Sequence, residues 1–322
     1  MRIQVTGAVI AVMLWAAAAH AQTPAADHHQ HPFSPEVAAL ISPPAPAAAV
    51  APITAADLIA HLDAAGIQRA VVLSTAYIFE QPARKVEGAR EKLRADNDWT
   101  SQQVGRYPGR LVGFCALNPL RDYALEELTR CARDPNLRAG LKLHLGNSEV
   151  DYRNPAHIER LRQVFRAANA HGMPIVVHMR ASFSQKLAYG RDEARIFLDQ
   201  LVAAAPDVPI QVAHLAGGGG PSDTAAHEAL EVLVAAVASD DPRTRRLWFD
   251  VTGIGAIPKL TAEEAAFFAA KIRQIGVRRI LYGSDAASAG NTPRESWAAF
   301  RKLPLSDEEL RIIATNVAPY LR

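Results

Sequence analysis

With 322 residues, 49% hydrophobic and 21% charged, the chain can bury a sizeable core, which excludes a disordered or low-complexity protein. Thirty-five basic and 33 acidic residues leave a formal charge of +2. No clustered run of Lys or Arg marks a nucleic-acid footprint, so no nucleic-acid partner is expected.

The N-terminus, MRIQVTGAVIAVMLWAAAAHAQ, carries one basic residue, an apolar run from Val5 to Ala19, and the small-x-small triplet Ala19-His20-Ala21. This pattern predicts an export signal cleaved after Ala21, because about 15 apolar residues fall short of the roughly 20 needed to span a bilayer. Loss of Arg2 lowers the formal charge by one, from +2 to +1. The mature chain, residues 22–322, is expected to form one domain with no membrane span, periplasmic or secreted.

Short apolar runs then alternate with helical patterns. DHHQH (27–31) is followed by AVVLS (70–74), LVGFCALNP (111–119), AGLKLHLG (139–146), PIVVHMR (174–180), PIQVAHLAG (209–217), LWFDVTG (247–253) and RILYGSDAA (279–287). Between them lie segments such as ITAADLIAHLDAAGI, NPAHIERLRQVFRAANAHG and TAEEAAFFAAKIRQIGV, with apolar residues three and four apart. TAAD and TAEE resemble capping boxes, and Gly in AAGI, AHGM and QIGV marks helix ends. Eight strands alternating with helices predict an α/β chain folded as a (β/α)8 TIM barrel. A doubly wound open sheet is the alternative, but no GxGxxG or Walker motif is present, and the GGGG at 217–220 lacks the phosphate-loop lysine and spacing. The first strand is expected to be short or irregular, since QTPAAD is a poor strand sequence. The Pro- and Ala-rich stretch 41–53 has no periodicity and is expected to be a rim loop. Cys115 falls in a predicted strand and Cys131 in the following helix; two buried free thiols are the favoured reading, with a bridge as the alternative.

Alternation in a strand puts His29 and His31 on the inward face with Asp27, and turns His28 and Gln30 away. His178, His214 and Asp285 stand at the ends of strands five, six and eight, where a barrel builds its active site. Each alone could be a structural residue. Together they place five ligand-type side chains at one mouth, and imidazole plus carboxylate suits Zn2+, Mn2+ or Fe2+. The same parity turns Ile175, Val177 and Met179 outward with Arg180 inward, and Leu141, Leu143 and Leu145 outward with Lys142 and His144 inward. Asn118, Asp250 and Thr252 also take inward positions. Buried polar side chains need a partner or a ligand. Lys142, His144, Arg180 and Asn118 are therefore candidate substrate contacts, with Arg180 and Lys142 suited to a carboxylate or oxyanion.

These motifs resemble the amidohydrolase superfamily, in the amidohydrolase-related branch that includes aromatic-acid decarboxylases and lactone hydrolases. The resemblance rests on DHHQH, the segment DNDWTSQQVGRYPGRLVGFCALNP, GLKLH, VVHMR, VAHLAG, RILYGSD and the closing IIATNVAPYL, in that order along nearly the whole mature chain. It implies one divalent metal ion, Zn2+ first and Mn2+ or Fe2+ as alternatives, held by His29, His31, His178 and Asp285. His214 matches the general acid/base histidine, and Asp285 would also handle the proton of the attacking water. Two departures stand out: the usual apolar strand before the DxHxH motif is missing, and Ala286-Ala287 follows Asp285 where many relatives carry an aromatic residue and proline. The first reading is metal-dependent hydrolysis of a C–O or C–N bond in a small, anionic carboxylate, lactone, ester or amide. Non-oxidative decarboxylation of an aromatic or unsaturated acid is second. Metal-independent hydrolysis and a non-catalytic exported metal-binding barrel are further alternatives. A second copy of the chain is the one protein partner entertained.

Overall fold

The computed structural model describes residues 23–43, 49–218, 220, 222–252, 260–286 and 290–322. The segment expected to be an export signal, the expected cleavage point and Ala287 lie outside the described residues. Among the described residues no helix is long and apolar enough to cross a membrane.

Eight parallel strands follow one another in chain order: β1 (Ala26–Gln30), β2 (Arg69–Leu73), β3 (Leu111–Ala116), β4 (Leu141–His144), β5 (Ile175–His178), β6 (Ile210–Val212), β7 (Leu247–Asp250) and β8 (Ile280–Leu281). The two edges meet where the His28 N–H donates to the Tyr282 carbonyl at 2.9 Å and the Asp285 N–H donates to the His29 carbonyl at 2.8 Å. The result is the (β/α)8 barrel that the alternation of elements implies.

Helices α1 (Pro35–Ile41), α2 (Ala55–Ala65), α3 (Ala89–Gly105), α4 (Ala124–Arg133), α5 (Pro155–Ala170), α6 (Arg191–Ile196), α7 (Thr224–Ala238) and α8 (Ala262–Ile275) connect the strands, and α9 (Pro293–Phe300) and α10 (Asp307–Thr315) follow β8. Thr54 with Asp57 and Thr261 with Glu264 form reciprocal capping boxes, which satisfies donors that a helix start would leave unpaired.

The parity reading holds on β4 and β5. Leu141, Leu143, Ile175 and Val177 join the large apolar layer between strands and helices. Val176 points the other way, into a smaller cluster with Ala26, Val71, Leu73, Phe114, Ala213 and Leu321. That cluster fills the lower barrel, and the C-terminal turn Pro319–Leu321 forms its floor. Tyr320 lies edge-on to Phe114 with ring centroids 5.2 Å apart, and the Arg69 guanidinium donates to the Leu321 carbonyl at 2.5 Å. The upper barrel is left to polar side chains.

β1 is irregular, as its sequence suggests: Asp27 pairs with Ala70 and Gln30 with Val72, so β1 has one residue more than β2 over the same interval. Such a bulge re-aims side chains. Cys115 and Cys131 form a disulfide, which corrects the favoured reading of free thiols. The physical reason is packing: α4 returns across β3 and brings the two Cα atoms to 6.0 Å, within bridging range.

Candidate metal centre

His29 and His31 are fully or nearly fully buried at the top of β1, and each has one ring nitrogen fixed by an acceptor. His29 Nδ1 lies 3.0 Å from Asp250 Oδ2, and His31 Nδ1 lies 2.8 Å from the Leu73 carbonyl oxygen. Burial pushes the Asp250 carboxyl up, but the His29 imidazole, His214 and their hydrogen bonds outweigh it and hold the group well below the usual carboxylate range. Asp250 is therefore an acceptor only, and so is a carbonyl. Both histidines must carry hydrogen on Nδ1 and a lone pair on Nε2.

The two Nε2 atoms face each other at 3.2 Å. Two lone pairs at that separation repel unless a cation lies against both; the Lys142 ammonium, 3.2 Å from His29 Nε2, meets the first of them. Ligands at the roughly 2.0–2.1 Å typical of a zinc–imidazole bond come about 3 Å apart around one ion, so the pair fits a divalent metal. Asp285 Oδ1 is 3.8 Å from His31 Nε2. Ligand atoms of His29, His214 and Asp285 lie within 4.8 Å of one another.

Protonation states agree with this arrangement. Burial, then the Lys142 ammonium, pushes His29 down to about 3 against the opposing pull of Asp250. The His29–Asp250 contact is thus a neutral imidazole on a carboxylate, not an ion pair. His31 is pushed well below its ordinary value by burial, Lys142 and His29. His178 is lowered by burial, His144 and His214. Burial takes His214 down to about 4, with Asp250 opposing and Lys142 adding. All four are neutral near pH 7, the form that binds a metal.

His214 and Asp285 owe their positions to an unusual backbone. The sequence places both at strand ends, but β6 stops at Val212 and β8 at Leu281. His214, Leu215 and Ala216 follow with φ of 56°, 48° and 66°, and Asp285 has φ 48°. Side-chain-bearing residues rarely occupy this left-handed region, and its cost is met by the surroundings. The His214 N–H donates to Asp250 Oδ1 at 2.8 Å, the Tyr189 hydroxyl donates to the Ala216 carbonyl at 2.5 Å, and the Asp285 N–H is held by His29.

His178 stands beside this group. Its ring stacks on His144 at 3.9 Å between centroids and lies 4.9 Å from His214. Gly218 packs so closely that a Cβ there would come within 2.3 Å of His178 Cε1. Lys142 is buried inside the barrel with Nζ 3.2 Å from His29 Nε2. Burial pushes its ammonium down to about 8, while Asp285 and Asp250 oppose the shift.

The other candidate contacts are already engaged. Arg180 pairs with Asp223, Nε to Oδ2 at 2.7 Å, and stacks over Phe183 and Tyr189. The Asn118 amide donates to the Glu80 carbonyl at 3.3 Å and accepts from the Leu120 N–H at 2.9 Å. Asp27 accepts from the His29 and Ser284 N–H groups and from Gln30, so it clamps β1 to the segment after β8. His28 and Gln30 are buried in that seam, with His28 Nδ1 2.8 Å from the Tyr282 carbonyl. Sequence reasoning placed Asp250 inward without a role, and gave none to Gly218 or Asp223. A carboxylate ending the apolar run LWFD was the available signal for the first; no spacing links Asp223 to Arg180.

Residues 26–316 match the family described as Amidohydrolase. No curated protein is significantly similar in sequence. Among solved structures, a putative 2-pyrone-4,6-dicarboxylic acid hydrolase from Pseudomonas putida superimposes with a TM-score of 0.61 at 18% identity, covering 93% of this chain and 97% of that one. A 5-carboxyvanillate decarboxylase from Novosphingobium aromaticivorans, with bound manganese, gives 0.61 at 14% identity over 92% and 96%. An amidohydrolase from Burkholderia multivorans with bound zinc gives 0.57 at 14% over 89% and 94%. At these identities the structural likeness shows the fold, and the family match spans nearly the whole barrel with its histidine cluster: the chain belongs to the amidohydrolase family.

Proposed function

We propose that the chain is a metal-dependent hydrolase acting on a C–O or C–N bond of a small anionic substrate. The observation that carries the reading is the pair of Nε2 lone pairs on His29 and His31, 3.2 Å apart. His29, His31, His178 and Asp285 would hold one divalent ion, with Zn2+ first and Mn2+ or Fe2+ as alternatives. Such an ion supplies Lewis acidity, which polarises a substrate carbonyl and makes water acidic enough to react near pH 7. Asp285 accepts the proton of the attacking water. Neutral His214, whose backbone N–H is tied to Asp250, is placed to take up the proton released by the water and hand it on to the leaving group. Lys142, ammonium-bearing below about 8, offers the buried positive charge that a substrate carboxylate would meet. Arg180, matched by Asp223, shapes the rim. Export fits the same picture, since the Cys115–Cys131 bridge suits an oxidising compartment.

Decarboxylation is the second reading, favoured by the same Lys142: a cation beside the cluster can hold a carboxylate for cleavage as well as for orientation. Two measurements test both readings, and a third separates them. Chelation should abolish turnover of a panel of lactones, esters and amides, and Zn2+, Mn2+ or Fe2+ should restore it. The variant His29→Ala should lose both bound metal and turnover. Stoichiometric CO2 from an aromatic acid, with no acid formed from water, would transfer the assignment to the decarboxylase. Undiminished turnover after chelation would end both.

A further inference from the structure

Away from the barrel mouth, one buried carboxylate lacks what burial demands. Asp96 on α3 is 4% exposed, and although the Ser34 hydroxyl approaches its carboxylate, neither oxygen completes a well-formed hydrogen bond among the described residues. The groups facing it are the Ser34 hydroxyl, which caps α1, and the Glu36 carboxylate, with the buried Tyr77 hydroxyl between Asp96 and the barrel mouth. Burial pushes Asp96 up to about 7 against the opposing pull of the Ser34 hydroxyl, and Glu36 adds to the shift. Leaving a carboxylate buried and unsatisfied is costly, so the position calls for a partner.

Asp96 lines a cavity of about 490 Å³, a volume typical of sites for small organic ligands. Its walls include Glu36, Phe79 and, from one face of α3, Glu91, Lys92 and Trp99. Three carboxylates face one ammonium there, and among the described residues Lys92 forms no ion pair with Asp96. Two aromatic rings beside a buried acid suit a cation with an apolar body, which gains from both the charge and the ring faces. A bare metal ion fits less well. Among the described residues, the groups with three ligand atoms close together lie at the histidine cluster and at the disulfide, not here.

We infer that this cavity is a second binding site, for a small organic cation: an ammonium carried on an aromatic or alkyl body. The ammonium pairs with Asp96, and the body lies against Phe79 and Trp99. The lining of the cavity shares no residue with the proposed catalytic centre, and the inference does not depend on the reaction assigned there.

Calorimetric titration of the full chain with phenethylamine, with 2-phenylethanol as the neutral analogue of similar shape, tests the site. The amine is expected to bind at least about tenfold more tightly than the alcohol. Asp96→Asn should weaken the amine by at least about tenfold and leave the alcohol unchanged. Trp99→Leu, at a half-buried position, should weaken both. His29→Ala should leave amine binding intact, which separates this cavity from the barrel mouth. Equal affinity for amine and alcohol overturns the inference, as does wild-type amine affinity in Asp96→Asn. Because the amine–alcohol comparison uses the unmodified chain, it decides the matter even if a variant fails to fold. Absence of amine binding at about 10 mM also overturns it.

Discussion

The two sides of the barrel mouth are held by different means. On the side of β1, β7 and β8, hydrogen bonds govern: His29 is fixed by Asp250, His31 by the Leu73 carbonyl, and Asp27 ties the two edges of the sheet together. On the side of β4, β5 and β6, contact governs. His178 is set by the His144 ring on one face and the Gly218 backbone close by, and its ring makes no hydrogen bond among the described residues. A hydrogen bond to one imidazole nitrogen decides which nitrogen carries the lone pair; packing fixes where the ring sits and leaves its tautomer open. One side thus presents preset ligands, and the other presents a ring that a metal or substrate can still adjust.

If the difference is real, the hydrogen-bonded side should respond most strongly to an isosteric change. Every close neighbour of the Asp250 carboxylate is a donor: His29 Nδ1 and Gln211 Nε2 at Oδ2, and the N–H groups of His214 and Thr252 with the Thr252 hydroxyl at Oδ1. An amide must set its NH2 against donors whichever way it turns, and can fix the wrong His29 tautomer. Asp250→Asn is expected to cost about 10–100-fold in metal affinity, read by competition with a chromogenic chelator. Affinity within about twofold of wild type would mean that the tautomer is not what Asp250 controls. On the packed side the matching change is steric. Gly218 has φ 124°, a left-handed conformation, so Gly218→Ala both strains the backbone and drives a methyl into His178. Turnover is expected to fall about tenfold, since small misplacements of a reacting group are costly, with a smaller loss of metal affinity than in Asp250→Asn. The reverse order of metal affinities would break the comparison.

The sequence carried one part of this contrast and missed the other, for a physical reason. Strand periodicity is strict, so inward Lys142 and His144 and outward Leu141, Leu143, Ile175 and Val177 follow from alternation alone. The strands stop before His214 and Asp285, and left-handed backbone then aims those side chains. No apolar pattern announces a left-handed His-Leu-Ala. The bulge in β1 likewise gives His28 and Gln30 buried partners that alternation alone does not name. Long-range partners were invisible too: Arg180 reads as an inward cation, and only the fold brings Asp223, 43 positions away, onto it. The disulfide belongs to the same class, since whether β3 and α4 cross within bridging distance is decided by the packing of the whole layer.

The smallest expected effect lies furthest from the mouth. The Tyr320 hydroxyl, on the barrel floor, donates to Gln211 Oε1, while Gln211 Nε2 donates to Asp250 Oδ2 at 2.6 Å. A chain of hydrogen bonds thus runs from the C-terminal turn through Gln211 and Asp250 to His29. Tyr320→Phe keeps the ring against Phe114 and removes only the hydroxyl, leaving a buried amide oxygen without its donor. That loss should destabilise folding by about 1–3 kcal/mol, measured by urea unfolding. Metal affinity should fall by no more than about threefold, because the Asp250–His29 contact survives and Gln211 keeps its bond to the carboxylate. A loss in metal affinity as large as that of Asp250→Asn would show that the floor holds the ligand side in register. The hydrogen-bonded side would then be a rod anchored at both ends of the barrel, not a local clamp at its rim.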